Sequence, residues 1–405
     1  MRITRTLTPE DRAASPYLEL PFEVPPGTPS IEVRLSYNRD HGVVDLGCLD
    51  PHGFRGWSGG ARSRYVVGSA EATPGYLPGP VDAGVWAVLL GLHRVPAAGI
   101  DVVVEIDLPA TGPAETEPAP PPVPERRPRR DLPADSGLTW LACDFHAHTL
   151  HSDGSFGRAE LAALAVDVGL DVLAVTDHNT VSHFAGLAEI GRNFGVTLLP
   201  GQEVTTDRGH ANAFGSIPWV DFRQPAELWV SHVESAGGLL SINHPLMGDF
   251  AWSHPLTRRP PLAEIWHWSW LDTRWTGPLA WWNAWGWDTV PISGSDFHNP
   301  ADGRPLGVPV TWVAVESGFD AEGPAPGELV LDGLRHGRVA VTSAFDAPVL
   351  MRVDDELVAV GGDGTLLTDR FGHRRPVHGD VVRFRAADGP YRLETPDAAV
   401  VAITP

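Results

Sequence analysis

Histidine and carboxylate side chains recur in a series of short motifs in the middle of the chain. The first motif, D-F-H-A-H-T-L-H-S-D, occupies residues 144–153. The later motifs are T-D-H-N at 176–179, G-Q-E at 201–203, G-H-A-N at 209–212, N-H-P at 243–245 and S-D-F-H at 295–298. Imidazole and carboxylate groups bind first-row divalent metals, and burying this many ionisable groups together without a cation would be strongly unfavourable. The set therefore predicts the multinuclear metal site of a hydrolase.

The candidate ligands follow apolar runs that have the character of β-strands. His146 and His148 are two residues apart, so on a strand they would project from the same face, and Asp153 follows in an S-D-G turn. The other candidate ligands are His178, Glu203, His210, His244, Asp296 and His298. A helix-patterned stretch at 158–169 separates the first two strand-like runs. Alternating strands and helices predict a parallel sheet or barrel with the ligands on loops that follow the strands.

The order of the motifs, H-x-H-x-x-x-x-D-G, D-H, G-x-E, H, H-P and S-D-x-H, resembles that of a known superfamily. This is the polymerase and histidinol phosphatase (PHP) superfamily of metal-dependent phosphoesterases, and within it the branch that includes carbaryl hydrolase. The resemblance covers roughly residues 140–345. It implies an α/β fold, a distorted seven-stranded βα barrel, that holds two or three divalent ions.

The resemblance also implies how the ligands are shared among the ions. One ion would be held by His146, His148, Glu203 and Asp296. A second would be held by Glu203, which bridges, with His210 and His244, and a third by Asp153, His178 and His298. A ligand set of imidazole and carboxylate without thiolate suits Mn, Fe or Zn better than Mg or Ca.

The expected mechanism is metal-assisted hydrolysis, in which divalent ions lower the pKa of water and neutralise charge on the attacked centre. Glu203 and Asp296 are the predicted catalytic residues among the ligands, and His267 is a further candidate, as the acid that protonates the leaving group. Arginine suits phosphate binding, and four lie near the motifs: Arg258, Arg259, Arg274 and Arg304. Other histidines, such as His151, His183 and His254, are interpreted as structural.

Three functions remain open at this point. Hydrolysis of a phosphate mono- or diester is favoured by the superfamily. Hydrolysis of a carboxylic or carbamic ester is favoured by the carbaryl branch and by an unusual concentration of tryptophan. A metal-containing binding protein without catalytic activity is the third hypothesis, and the complete ligand set argues against it. In either enzymatic case the expected partner is a small-molecule ester, an aromatic one under the second hypothesis.

The tryptophans lie in one segment, 252–287, and they allow two interpretations. They are Trp252, Trp266, Trp268, Trp270, Trp275, Trp281, Trp282, Trp285 and Trp287. Most are expected to pack in the core, and some could line a pocket beside the metals for a flat leaving group. The run E-I-W-H-W-S-W at 264–270 alternates like a strand, which would place Trp266, Trp268 and Trp270 on one face and His267 on the other.

The whole chain divides into four regions by composition. Residues 1–109 contain short β-type runs between Gly/Pro turns and are predicted to form a β-sandwich. Residues 110–135 form a proline-rich linker, residues 136–345 the barrel, and residues 346–405 a small β-rich segment.

Charge and composition exclude several other classes. The net charge of −21 and the lack of a basic stripe argue against a nucleic-acid backbone as partner. Two distant cysteines form no disulfide framework, and neither a signal peptide nor a membrane-spanning run is recognisable, so a cytoplasmic location is expected. All 30 basic residues are arginine. The metal-bridging carboxylated lysine of many amidohydrolase barrels is therefore excluded.

Overall fold

A computed structural model describes residues 1–318 and 325–405 of the chain. The described chain divides into two compact units. The first unit comprises residues 1–119, 148–157 and 177–185, and the second comprises residues 120–147, 158–176 and 186–405. In the described ranges, no helix is long and apolar enough to cross a membrane.

The first unit is built mainly from two antiparallel sheets of four strands each. Its elements are β1 (Arg2–Leu7), α1 (Pro9–Ala14), β2 (Tyr17–Val24), β3 (Ser30–Tyr37), β4 (Val43–Asp50), β5 (Gly53–Gly59), β6 (Arg64–Gly68), β7 (Gly84–Arg94) and β8 (Ile100–Asp107). The strand orders are β1-β8-β3-β6 and β2-β7-β4-β5. In β8 every second side chain is buried, and the buried residues of both sheets form one apolar cluster.

The second unit contains a sheet of thirteen strands. Its elements are β9 (Leu138–Asp144), α2 (Arg158–Asp167), β10 (Val172–Val175), α3 (Leu187–Phe194), β11 (Thr197–Thr206), β12 (Gly209–Phe214), α4 (Ala226–Ser235), β13 (Leu239–Ile242), β14 (Leu262–His267), α5 (Gly277–Trp285), β15 (Val290–Gly294), β16 (Val310–Glu316), α6 (Pro326–Arg335), β17 (Val339–Thr342), β18 (Val349–Val353), β19 (Glu356–Val360), β20 (Leu366–Asp369), β21 (Arg374–Pro376), β22 (Val381–Arg385), β23 (Tyr391–Glu394) and β24 (Val400–Thr404). The sheet order is β15-β14-β13-β12-β11-β10-β9-β16-β17-β24-β23-β20-β21. Strands β18, β19 and β22 form a separate small sheet.

The seven strands that carry or precede the predicted ligands, β9 to β15, are neighbours in chain order. Pairing is parallel from β9 to β11 and from β13 to β15, whereas β12 pairs antiparallel with both of its neighbours. The segments after the two outer strands of this series also meet. Ala147 forms a parallel bridge with Phe297, and the backbone N–H of Phe297 donates to the carbonyl of His146 at 3.4 Å.

Helices cover the apolar side of this sheet. In α6 the buried residues Leu329, Val330 and Leu334 pack into a cluster with Val172 of β10 and Leu199 of β11. Burying large aliphatic side chains on both elements is the main contribution to stability here, at roughly 1.5–3 kcal/mol for each side chain. The α/β class expected from alternating strands and helices is therefore observed.

Candidate metal centre

The carboxylate of Glu203 lies at the centre of a buried cluster in the second unit. Its Oε1 atom lies 3.2 Å from Nε2 of His146, 3.1 Å from Nδ1 of His210 and 3.4 Å from Nε2 of His244. Asn243 donates a hydrogen bond from Nδ2 to the same oxygen at 2.8 Å. The side chain belongs to the ten-residue strand β11 and is fully buried. One carboxylate oxygen therefore faces three imidazole rings away from bulk solvent.

Asp296 forms a second acidic side of this cluster. Its Oδ1 atom lies 3.2 Å from Nε2 of His146, and its Oδ2 atom lies 3.3 Å from Nε2 of His267. The indole N–H of Trp268 donates to Oδ2 at 3.3 Å. Nδ1 of His298 lies 2.9 Å from the backbone carbonyl oxygen of Asp296, in position to donate to it. The His146 ring thus presents one nitrogen to two carboxylates at once.

Glu264 on β14 belongs to the same cluster, although the sequence motifs did not single it out. Its Oε1 atom lies 3.1 Å from Nδ1 of His146, and its Oε2 atom accepts the backbone N–H of His244 at 2.8 Å. A carboxylate on the far nitrogen of a metal-binding imidazole fixes the tautomer and the orientation of the ring. Ligand atoms of Glu264, His146 and His244 lie within 4.8 Å of one another, so the three could hold a metal ion. The signal in the sequence was an acidic residue inside an apolar, aromatic run.

Hydrogen bonds to Asp144 connect the segments that carry two of the predicted ligands, His146 and Asp296. Its Oδ1 atom accepts the backbone N–H of His146 at 3.1 Å and of Ser295 at 3.0 Å, and its Oδ2 atom accepts that of Gly307 at 2.9 Å. Burial raises the pKa of Asp144 to about 6, against the effect of these donors. The side chain ties the segment after β9 to the segment after β15.

Two of the predicted ligands have strained backbones. His244 has a φ of 27° and Asp296 a φ of 50°. Each lies two residues beyond the end of its strand, β13 or β15. Residues other than glycine are uncommon in this region, and such strain concentrates at functional sites where the surrounding structure enforces it.

The donor set fits divalent cations. Two atoms that each lie about 2.1 Å from one ion at nearly a right angle are about 3 Å apart, and the N···O separations around Glu203 are 3.1–3.4 Å. Burial opposes the charged form of His146, but Glu203, Asp296 and Glu264 outweigh burial and raise its pKa. Nδ1 of His244 is buried and has no hydrogen-bond partner in the described part of the chain. A buried group of acids and imidazoles that attracts positive charge in this way is suited to a metal ion.

The first unit contains a second group of predicted ligands. The rings of His148 and His178 stack with their centroids 4.3 Å apart, and Nε2 of His178 lies 3.6 Å from Oδ1 of Asp153. His148 is buried, whereas the Asp153 side chain is 46% exposed. Gly154 permits the tight turn, because a Cβ atom there would lie 2.5 Å from the backbone of His148.

Asp177 and Arg62 hold the loop that carries this second group. The buried carboxylate of Asp177 accepts the backbone N–H of Thr149 at 2.9 Å and the hydroxyl of Ser152 at 2.6 Å, and it lies 3.2 Å from Nδ1 of His183. Arg62 donates to the carbonyl oxygen of Ser152 at 2.9 Å. The carboxylate of Asp177 therefore holds this loop in place, and the structural role expected of His183 stays a prediction.

The predicted ligands are divided between the two units. The second unit holds His146, Glu203, His210, His244, Asp296 and His298, and the first unit holds His148, Asp153 and His178. The assignment of each ligand to one of three ions stays a prediction.

The prediction that residues 264–270 alternate as a single strand is wrong. Strand β14 ends at His267, and its register with β15 shifts within residues 264–266. A bulge of this kind breaks the alternation of side chains. As a result, His267 and Trp268 do not lie on opposite faces, since both contact Oδ2 of Asp296.

Most of the tryptophans of segment 252–287 pack into one apolar cluster, which agrees with the core interpretation. Trp266, Trp270 and Trp282 are buried, and Trp252, Trp281, Trp285 and Trp287 pack against them while partly exposed. Trp268 and Trp275 differ, because Trp268 contacts a predicted ligand and Trp275 is 57% exposed.

The four arginines near the motifs differ in their surroundings. Arg258 and Arg274 form ion pairs with acidic neighbours, at 2.7 and 2.8 Å. Arg259 stacks on a tryptophan ring at 4.9 Å. Arg304 has its Cζ atom 3.4 Å from the ring centroid of Trp268, whose indole N–H reaches a predicted ligand. Arg304 is therefore the arginine whose contacts connect it to the cluster.

Comparison with known proteins gives partial similarities. No family model matches this chain. The chain is 32% identical over 125 residues to the "5'-3' exoribonuclease Rnm" of Escherichia coli (strain K12), a match covering 30% of this chain and 35% of that protein. It is 32% identical over 110 residues to the protein of the same name from Salmonella typhimurium, covering 26% of this chain and 30% of that protein. The matches thus span about a third of the length of these relatives.

One solved structure covers more of the chain. It is a two-domain protein from Bacteroides vulgatus, described as "containing predicted PHP-like metal-dependent phosphoesterase". The TM-score is 0.45 at 17% identity, and the match covers 70% of this chain and 99% of that one.

Proposed function

We propose that this protein is a metal-dependent phosphoesterase that hydrolyses a phosphate mono- or diester of a small molecule. The observation that carries the proposal is the buried Oε1 atom of Glu203, which faces three imidazole rings at 3.1–3.4 Å. A carboxylate so placed is suited to a position shared between two cations. The order of the motifs, together with the name of the exoribonucleases that the chain matches in part, supports the phosphate ester as substrate.

We infer the distribution of ions from the PHP resemblance. His146, His148, Glu203 and Asp296 would hold one ion, Glu203, His210 and His244 a second, and Asp153, His178 and His298 a third. Mn, Fe or Zn would suit these nitrogen and oxygen donors. The contacts of Glu203 with His210 and His244 support its bridging role.

Divalent ions supply Lewis acidity at such a site, since they make water more acidic and neutralise charge on the attacked phosphorus. Residues of the chain orient the predicted ligands and supply the proton for the leaving group. Glu264 fixes the His146 ring, and Asn243 holds one oxygen of Glu203. Nδ1 of His267 accepts the backbone N–H of Ser269 at 3.3 Å, so Nε2 is the atom proposed to hold the proton given to the leaving group.

The fold of the catalytic region is also part of the proposal. Strands β9 to β15 would form the distorted seven-stranded barrel, and the bridge between Ala147 and Phe297 supports closure of that barrel. The two sheets of residues 1–109 would form the sandwich, followed by the linker to 135, the barrel to 345 and the β-rich segment to 405. A cytoplasmic location is proposed together with them.

Hydrolysis of a carboxylic or carbamic ester is the second candidate. An aromatic side chain borders the cluster, because the indole N–H of Trp268 donates to Asp296. A flat, neutral ester group would find stacking surface there.

Metal analysis and a substrate panel test the proposal. Protein purified without chelator and reloaded with Mn or Zn should contain more than one ion per chain. It should hydrolyse at least one aryl phosphate, small phosphodiester or nucleotide faster than aryl carbamates. Glu203→Gln should lose an ion and at least about a hundredfold in rate. Glu189→Gln, an exposed change on α3, is the matched control. A metal content near zero after reloading would refute the proposal.

A further inference from the structure

A cavity of about 190 Å³ lies beside the cluster in the second unit. Its polar end is formed by His244, Glu264 and His267. The remaining walls are mostly apolar and are contributed by Leu246, Met247, Ile265, Trp270, Trp275 and Pro278. The cavity therefore has one wall made of cluster residues and others made of carbon surface.

The polar end is continuous with the proposed metal ligands. Nε2 of His267 lies 3.3 Å from Oδ2 of Asp296, and Nε2 of His244 lies 3.4 Å from Oε1 of Glu203. Because these rings also face the cavity, a group that occupies it would lie directly against the residues of the cluster. The cavity is thus placed to hold a part of the substrate next to the reacting centre.

The apolar walls contain few side-chain groups that need a hydrogen-bond partner from a ligand. The indole N–H of Trp270 is already used, since it donates to the carbonyl oxygen of Trp275 at 2.7 Å. Leu246 is 40% exposed and Trp275 is 57% exposed, so both have apolar surface that a ligand would cover. None of the described lining residues is an arginine, so these walls are not built to bind a second phosphate.

The volume sets the size of the group. An engineered apolar cavity of about 150 Å³ in another protein binds benzene. The present cavity, at about 190 Å³, has room for one six-membered ring with a small substituent. A ring of this kind would gain stacking contacts with indole surface in addition to removal of its own surface from water.

We propose that this cavity binds an apolar, phenyl-sized ring in the ester group of the substrate, so that the preferred substrates are aryl or arylalkyl phosphates. This inference rests on the proposed phosphoesterase function. In the reaction, one water is added across the bond between phosphorus and the ester oxygen. The phosphate keeps the oxygen of the water, and the ring-bearing alcohol or phenol leaves with a proton from it.

A binding experiment tests the cavity without requiring activity. In calorimetric titration, p-cresol should bind the wild-type protein with a negative heat-capacity change, the mark of apolar burial. Leu246→Trp, which adds bulk to the wall, should weaken this binding at least about tenfold. Leu228→Trp is the matched control, because Leu228 is a 50% exposed leucine on α4 that does not line the cavity. Equal binding to both variants would overturn the inference.

A kinetic experiment links the cavity to substrate choice. With Mn-loaded protein, the ratio of kcat/KM for phenyl phosphate to that for methyl phosphate should be well above one. Leu246→Trp should reduce the ratio at least about tenfold and Trp275→Ala should also reduce it, whereas Leu228→Trp should leave it at the wild-type value. A thermal melt checks that each variant is folded. Hydrolysis with a ratio near one refutes the ring site but leaves the phosphoesterase standing. Binding of p-cresol without hydrolysis of any phosphate ester refutes the phosphoesterase and, with it, this substrate class.

Discussion

Glu264 offers a sharp test of the proposed metal centre, because the structure gives it contacts with the cluster and no motif predicted it. Its two oxygens accept from different donors, one facing Nδ1 of His146 at 3.1 Å and the other the backbone N–H of His244 at 2.8 Å. Glu264→Gln keeps the shape of the side chain but leaves only one accepting oxygen. One of the two donors would then face an amide NH₂ group.

The expected loss follows from these contacts. A hydrogen bond to a charged group contributes about 1.5–3 kcal/mol, and one of two is lost. If the bond to His146 fails, the ring is no longer held with Nε2 towards Glu203 and Asp296. Changes to such outer partners typically reduce metal affinity 10–100-fold, about 1.4–2.7 kcal/mol, which agrees with the loss of one bond.

Competition with a chromophoric chelator would measure the change in Zn affinity. Glu264→Gln should bind the tightest ion 10–100-fold more weakly than wild type. Glu316→Gln, an exposed glutamate at the end of β16, should bind as wild type does. If Glu264→Gln kept its affinity within twofold and remained folded, the idea that this carboxylate orients a metal ligand would be refuted.

Three further changes test other parts of the structure. Arg62→Met removes the hydrogen bond to the loop that carries the predicted ligands of the first unit, so stepwise metal titration should show one ion bound several-fold more weakly. Arg39→Met is the control. Unchanged binding of every ion to Arg62→Met would contradict the positioning role of Arg62. Burial opposes ionisation of Glu32 on β3, but hydrogen bonds from Arg64, Thr111 and Arg34 outweigh burial and lower its pKa. The stabilisation that the Glu32 carboxylate provides is therefore present above its ordinary pKa of 4.5 and is lost as the pH falls below that value. Urea unfolding should therefore show the free energy of unfolding of Glu32→Gln lowered by about 3 kcal/mol at pH 7 and by less at pH 3. The control Glu23→Gln should be near wild type at both pH values. A loss for Glu32→Gln that is equal at the two pH values would contradict this pH dependence. His267→Ala should impair hydrolysis of an alkyl phosphate more than that of a nitrophenyl phosphate, whose leaving group needs no proton, and equal defects would exclude the acid role.

The side chains that form the cluster could be singled out from the sequence because each is chemically distinctive and lies next to an apolar run; their role as metal ligands stays a prediction. Glu203, His210 and His244 were expected at one site, and the structure places all three in one cluster. The α/β class also followed from the alternation of strands and helices. These features depend on residues that are close together in the sequence, so one amino-acid sequence is enough to predict them.

Contacts that depend on irregular backbone could not be predicted. Glu264 and His267 are three residues apart, and on a regular strand they would face opposite sides. The register shift in β14 allows both to contact the cluster. Strand β12 is antiparallel to β11 because the two strands are joined by a tight turn between residues 206 and 209. Neither feature has a periodic signal in the sequence.

The positive φ angles of His244 and Asp296 set a trade-off between stability and ligand binding at single residues. A left-handed conformation costs about 1–2 kcal/mol for a residue with a side chain and almost nothing for glycine. Glycine at either position would relieve that strain but would remove a proposed metal ligand. Selection for thermal stability alone would therefore favour loss of the proposed metal site, and retention of His and Asp at these positions would report selection for activity.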